Sequence, residues 1–363
     1  MCIITSSMAG SAAVKAMKLR VGLCQMIVSA SKSENLAKAR EMIGKAVSQG
    51  AELVVLPECF NSTYNTKLFR QNAEEIPESI SKINPEKSPS LVMLAEEAKK
   101  HHITLIGGSI PELQNGNVYN TATVLSWNND RITKHQKCHL FDVDIPGGIS
   151  FHESETLTPG RGFTVYDYAS PSAEMKIGMG VCYDIRFPEL ALGYVRKGCR
   201  MLVYPSAFNM STGPLHWEIL AKGRAVDSQC FVMLCSPARD VNASYVAYGH
   251  SMIVSPWGRV VGELDEKEGV LIGDVDLAEC DAVRGAIPTM KQKRSDLYEL
   301  RVLDVWSVCC ETGEINRLLE QGRRLARKHS STSPLVIMKS SCGKARLMGS
   351  PLDLEMTPRH TMP

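Results

Sequence analysis

Apolar positions along this chain recur with two different periods, and the switches between them mark its elements. LRVGLCQMIV, from Leu19, reads as a half-buried strand. SENLAKAREMIGKAVSQG spaces its apolar residues three and four apart, which predicts an amphipathic helix with Ser33 as N-cap and Gly50 just past its end. AELVVLPE is a short, wholly apolar strand running into a Pro-Glu turn. SPSLVMLAEEAKKHH predicts a helix, and ITLIGGSIPEL predicts a strand that returns across a Gly-Asn turn as NVYNTATVLSW. RITKHQKCHLFDVDIPGGISFHESETLTPG has no clear period and reads as a long polar connection. Strands FTVYDY and MKIGMGVCYD follow, then helix FPELALGYVRKG, strand RMLVYPSAF and helix LHWEILAKGRAVDSQ. Strand CFVMLCSPA, hairpin SMIVSPWGRVVGEL and strand GVLIGDVDL close the series.

Strands alternating with helices predict α/β layers, and the strand pairs joined by tight turns make the sheets mixed rather than purely parallel. No repeat of solenoid length is present. Residues 1–17 read as a flexible N-terminal segment, 18–300 as the folded domain and 301–363 as a C-terminal extension, partly disordered. Within that extension Cys309–Arg327 could form one more helix, while the stretch beyond it has turn composition.

Charge changes this picture little. The 41 Lys and Arg nearly balance the 39 Asp and Glu, for a net charge of +2, which argues against a nucleic-acid footprint. No run approaches the roughly 20 apolar residues needed to span a bilayer, so no membrane role is expected. The 12 cysteines include no C-x-x-C pair, and no secretory signal opens the chain, so reduced thiols in the cytoplasm are expected. The mildly basic opening, with Lys15, Lys18 and Arg20, would also suit a mitochondrial presequence.

Candidate chemistry starts at Cys182, where a strand gives way to a turn and then to the helix that Pro188 helps to start. Helix N–H groups near such a turn can lower a thiol pKa and bind a developing oxyanion, although a buried strand-end cysteine would look the same. At Glu58, five apolar residues run directly into one carboxylate. Desolvation there would raise its pKa and suit it to proton transfer, against the alternative of a surface loop acid. Lys137 and Glu153 lie in the polar connection; a fixed lysine could balance an oxyanion, but each residue taken alone is better explained by an ordinary solvated loop.

Taken in order, LPECFNSTY, KCHLFDVDIPG, FHESETLTPG and GVCYDIRFPEL resemble the nitrilase superfamily of carbon–nitrogen hydrolases. The resemblance spans about Lys18 to Glu299 and continues through YPSAFNMSTGPLHWEILAKGRAVD, SPARDVNASYVAYGHSMIVSPWG and KQKRSDLY. It implies a four-layer αββα sandwich with mixed sheets whose copies pair through outer helices as a homodimer. It also implies a Glu-Lys-Cys triad at Glu58, Lys137 and Cys182, with Glu153 beside it, and no metal or organic cofactor. The wording LPECFNSTY, HLFDVDIPG, AFNMSTGP and SPARD is similar to the omega-amidase branch, whose substrates are 2-oxoglutaramate and 2-oxosuccinamate. For these Arg186 is the candidate carboxylate anchor, with Tyr64, Phe208 and Thr212 as pocket residues. Arg186 could instead pair with Glu189 or Asp184, and Phe208 could be plain core.

FPELAL and GHSMIVSPWG read a little like the sister branch acting on deaminated glutathione, and carbamoyl substrates share the triad; nitriles fit the wording least. Two rivals from other classes remain. A zinc hydrolase would need clustered ligands, and His135 with His139 lacks the H-E-x-x-H glutamate. A dimeric scaffold binding a partner through its tail does not explain the intact triad.

Overall fold

The computed structural model describes residues 17–302, 336–339 and 345–348. β1 (Lys18–Gln25) leads into α1 (Lys32–Ser48). The α1 N-cap is Ser31, not Ser33: its extended backbone lets its side chain accept from the Glu34 N–H. Gly50, at φ +86°, follows the helix as expected. β2 (Leu53–Val55), α2 (Thr66–Asn72), α3 (Pro89–His101), β3 (Thr104–Gln114), β4 (Asn117–Ser126) and β5 (Asn129–Gln136) complete the first half. A small hairpin of β6 (Asp142–Asp144) and β7 (Ser150–His152) links it to the second. That half contains β8 (Thr164–Ala169), β9 (Glu174–Met179), α4 (Pro188–Arg196), β10 (Cys199–Pro205) and α5 (Gly213–Ser228). β11 (Phe231–Cys235), β12 (Met252–Val254), β13 (Val260–Glu263), β14 (Gly269–Asp276) and α6 (Ala278–Ala286) end it.

The strands form two six-stranded sheets, ordered β14-β1-β2-β3-β4-β5 and β13-β12-β11-β10-β9-β8. Both are mixed: β1–β2–β3 and β9–β10–β11 run parallel, and the remaining pairs are antiparallel. Side-chain alternation in β2 explains the layering. Leu53 and Val55 pack between the sheets with Met179, Val203 and Met233. Val54 and the following Leu56 turn the other way, onto Met42 and Ile43 of α1 and Leu91 and Leu94 of α3. α4 and α5 cover the second sheet through Tyr194, Trp217 and Ala221. The result is the helix–sheet–sheet–helix sandwich with mixed sheets that the sequence resemblance implied.

The structure corrects the reading of 131–160 as an irregular connection. Its beginning is β5, an edge strand whose buried positions, Ile132 and His135, lie on opposite faces, one toward the helices and the other toward the second sheet. Lys134 and Gln136 meet Glu112, so buried polar contacts replace the apolar alternation that would have revealed a strand. α2 escapes notice for a related reason: only Phe69 is buried in it, which sets no period.

This compact unit extends to Val302. In the second unit, from Leu303, the structure describes an antiparallel pair, β15 (Val336–Lys339) and β16 (Ala345–Met348). The expectations for residues 1–16 and for a helix over Cys309–Arg327 lie outside the described residues. Among the described residues no helix is long and apolar enough to cross a membrane.

Candidate active site

Glu58 sits where β2 runs out into Leu56-Pro57, and β3 fixes its position. The register of β3 shifts between Ile106 and Ser109, and Gly108 there adopts φ +57°. A Cβ at 108 would overlap the Pro57 carbonyl, so only glycine allows this approach. The Ser109 N–H then donates to Pro57 O at 3.2 Å, and the Cys59 N–H donates to Ser109 Oγ at 3.1 Å. Held from both sides, Glu58 is 1% exposed. Its Oε1 accepts from Asn120 Nδ2 at 2.8 Å and from Lys137 Nζ at 3.0 Å. Its Oε2 is buried and accepts from neither Asn120 nor Lys137.

Lys137 follows β5 directly. Its backbone is tied on both sides, donating to Asn120 O and accepting from the Gly160 N–H, each at 2.8 Å. Its ammonium also lies 2.9 Å from Glu153 Oε2. Glu153, in a short 3-10 turn after β7, accepts from the Phe141 N–H at 2.7 Å and from the Tyr64 hydroxyl at 2.6 Å. Burial alone would lower the Lys137 pKa, but the Glu153 and Glu58 carboxylates hold it well above its usual value. Lys137 is therefore a fixed cation, suited to stabilising an oxyanion and unsuited to accepting a proton.

β9 ends at Met179, and after Gly180 and Val181 the chain turns into a 3-10 segment, Cys182–Arg186. Cys182 has φ +44°, a left-handed conformation costly for a side-chain-bearing residue and typical of functional turns. From the other side Arg224 of α5 donates to the Ile185 and Arg186 carbonyls at 2.6 and 3.0 Å, satisfying the end of the turn. Burial pushes the Cys182 thiol up, and the Glu58 charge pushes it further, against opposing effects of Lys137 and an Ala207 backbone hydrogen bond. Burial likewise raises Glu58, while Lys137 opposes that shift. A protonated thiol thus shares a buried site with a carboxylate of raised pKa, and the Cys182 thiol is in hydrogen-bonding interaction with Glu58. Such a pair can generate a thiolate at the moment of attack rather than storing one.

A cleft of about 270 Å³ adjoins this group, lined by Glu58, Tyr64, Ala207 and Tyr245 among others. Arg186, Phe208 and Thr212 are not in its lining. Arg186 is half-buried, with Cζ 4.9 Å from the Phe208 ring and 5.6 Å from the Tyr183 ring. Its Nη1 lies 3.2 Å from His216 Nδ1, and it forms no ion pair with any carboxylate of the described residues. Phe208 is buried edge-on against Trp217 and is a platform for that guanidinium. The Thr212 hydroxyl donates to Asn209 Oδ1 at 3.3 Å, and its N–H donates to the same oxygen. Neither Glu189 nor Asp184 pairs with Arg186; Asp184 is fully engaged by His135 and His139.

Sequence reasoning missed Asn120, Tyr245, Asp184 and Arg224. No spacing signal could have found Asn120, which meets Glu58 across 62 residues. Asp184 stands inside GVCYDIRFPEL, but its partners, 45 and 49 residues away, are visible only in the fold.

A model of the carbon-nitrogen hydrolase family matches residues 20–285. The chain is 50% identical over 283 residues to the omega-amidase NIT2 of Xenopus tropicalis, covering 78% of this chain and 98% of the relative. It is 47% identical over 283 residues to the omega-amidase NIT2 of Homo sapiens, again covering 78% and 98%. Among solved structures, Nit3 of Saccharomyces cerevisiae, a member of branch 10 of the nitrilase superfamily, superposes with a TM-score of 0.69 at 43% identity. That match covers 78% of this chain and all of Nit3. The sandwich, the buried carboxylate–ammonium–thiol group and these matches lead to one assignment: the chain belongs to the carbon-nitrogen hydrolase family, within the nitrilase superfamily.

Proposed function

We propose that this protein is an omega-amidase, hydrolysing the terminal amide of 2-oxoglutaramate or 2-oxosuccinamate to the 2-oxo dicarboxylate and ammonia. The observation that carries the chemistry is the Lys137 ammonium held between Glu58 and Glu153, with the Cys182 thiol in hydrogen-bonding interaction with Glu58. Glu58 takes the Cys182 proton as the sulfur attacks the amide carbon. Lys137 and the backbone N–H following Cys182 stabilise the oxyanion. Collapse breaks the carbon–nitrogen bond, and Glu58 returns its proton to the leaving ammonia. Water, deprotonated by Glu58, then attacks the thioester, and the proton returns to the Cys182 sulfur as the acid leaves. Glu153 orients Lys137 and the substrate nitrogen.

The substrate assignment draws on the curated relatives named omega-amidase and on Arg186, a half-buried guanidinium without a carboxylate partner four residues after Cys182. A guanidinium in that state is suited to a substrate carboxylate. Tyr64 walls the amide end, and Phe208 and Thr212 shape the region around Arg186. The catalytic domain is residues 18–300. The chain acts as a homodimer in the cytoplasm, through the apolar face that α5 exposes at Leu215 and Ile219.

The test is ammonia release from 2-oxoglutaramate by the full chain and by Cys182→Ala, with deaminated glutathione in parallel. Release from 2-oxoglutaramate, abolished in the variant, is expected. Release from deaminated glutathione alone would move the protein to the sister branch and leave the proposed catalytic group intact.

A further inference from the structure

We propose that Asp184 is a positioning residue for this reaction, its buried carboxylate clasping the strand end that carries Lys137 to the turn that carries Cys182. The inference rests on the reading that Lys137 and Cys182 act on one carbonyl group. Those two residues come from different sheets: Lys137 follows β5 in the first, and Cys182 follows β9 in the second. Something must set their separation, and Asp184 bonds to both sides. Oδ1 accepts from the His139 N–H at 3.0 Å and from His139 Nδ1 at 2.7 Å. Oδ2 accepts from the Val181 N–H at 3.0 Å and from His135 Nε2 at 3.1 Å. His135 and His139 flank Lys137 at two residues on either side, while Val181 and Asp184 flank Cys182.

The clasp is anchored further at both ends. His135 Nδ1 meets Thr164 Oγ1 of β8 at 3.2 Å, and that hydroxyl donates to Lys134 O at 3.0 Å. The His139 ring stacks on Phe187, just beyond the turn, with centroids 3.6 Å apart. Asp184 is fully buried, and four donors fill its two oxygens, so its carboxylate has no capacity left for substrate. Burial alone would raise its pKa, but the hydrogen bonds from His135 and His139 hold it well below the usual carboxylate range, so the acceptor stays charged. A misplacement of about 1 Å between catalytic groups can cost on the order of 100-fold in rate, and this carboxylate sets that distance.

The experiment compares kcat and KM for 2-oxoglutaramate in full-length Asp184→Asn, His139→Ala and His139→Asn, with Cys182→Ala as the control. The rate of Cys182 alkylation by iodoacetamide against pH, followed on its peptide by mass, needs no substrate. Asp184→Asn is expected to lower kcat by about 30-fold with KM within about twofold, and to shift the alkylation profile. His139→Ala keeps the backbone donor and loses about fivefold in kcat; His139→Asn, whose amide replaces Nδ1, recovers at least about half of that loss. Should Asp184→Asn fail to fold, the two His139 variants decide. A folded His139→Ala with wild-type kcat and an unchanged alkylation profile overturns the clasp alone. Activity retained by Cys182→Ala overturns the site reading and the clasp together.

Discussion

The Tyr64 hydroxyl donates to Glu153 Oε1 at 2.6 Å, so the carboxylate that grips Lys137 is itself gripped. Its ring is fixed by stacking on Phe151 at 5.3 Å and by Tyr245 at 4.6 Å. Tyr64→Phe keeps these packing contacts and removes one donor. A hydrogen bond to a charged group contributes about 1.5–3 kcal/mol, so kcat/KM should fall by about tenfold or more. Steady-state kinetics with unchanged far-UV circular dichroism would bear this out; an unaltered kcat/KM would mean that Glu153 needs no such support.

Removing Lys137 should damage the fold as well as the chemistry. Its ammonium lies 3.0 Å from Glu58 and 2.9 Å from Glu153, all three buried. Lys137→Met leaves two carboxylates facing each other without a cation, and breaking a buried ion pair this way costs about 3–5 kcal/mol. Cys182→Ala removes only a neutral thiol. The expected result of calorimetry is a Tm several degrees lower for Lys137→Met and near wild type for Cys182→Ala, with both inactive. Equal melting temperatures in all three proteins would contradict the clustered-charge picture.

Activity should fall on acidification at a higher pH than an ordinary glutamate would give. The base form of Glu58 is the carboxylate, and burial raises its pKa above the usual 4.5, with Lys137 opposing. As pH drops through that raised value, Glu58 gains a proton and can no longer accept one from Cys182. The acid limb of kcat/KM therefore lies above pH 4.5, and Glu58→Gln abolishes the reaction at every pH. Lys137, held well above 10.5, contributes no alkaline limb below that pH. A pH–rate profile whose acid limb falls at or below 4.5 would remove Glu58 from the role of base.

How much of this was legible in the sequence varied with the physics of each residue. Glu58 could be read because a run of apolar residues meeting one carboxylate implies desolvation, and it is indeed buried. Cys182 could be read because its strand-to-turn context is local. Lys137 was recoverable only through family resemblance, since β5 buries polar contacts and shows no alternation. Asp184 and Asn120 could not be assigned at all, because their meaning lies in partners from other strands. The alternation of strands and helices gave α/β layers with mixed sheets and the family resemblance gave their order, whereas the α1 cap and the extent of β5 depended on tertiary contacts.

Arg186 sets an expectation about specificity. Burial lowers its pKa, and no carboxylate of the described residues accompanies it. A substrate carboxylate would supply the missing anion. Arg186→Gln should raise KM for 2-oxoglutaramate by at least about tenfold, the loss of one charge-assisted bidentate contact, while a neutral short-chain amide is turned over as before. A parallel loss on both substrates would assign Arg186 to the shape of the turn instead.

The outer face of α5 predicts the mode of assembly. Leu215, Ile219 and Val226 are 71%, 67% and 52% exposed, and their spacing places them on one side of the helix. A Cβ at Gly258 would touch the Val226 side chain, so the turn bearing Trp257, itself 51% exposed, adjoins the same patch. An apolar stripe of this kind on a folded domain marks an interaction surface. In a twofold dimer the same stripe meets its own copy, and each buried aliphatic side chain adds about 1.5–3 kcal/mol. Ile219→Arg sets two cations near one axis in place of that gain. Light scattering after gel filtration should show a dimer for the wild type and a monomer for Ile219→Arg, with Cys182 still open to alkylation. An unchanged dimer in the variant would move the interface off α5.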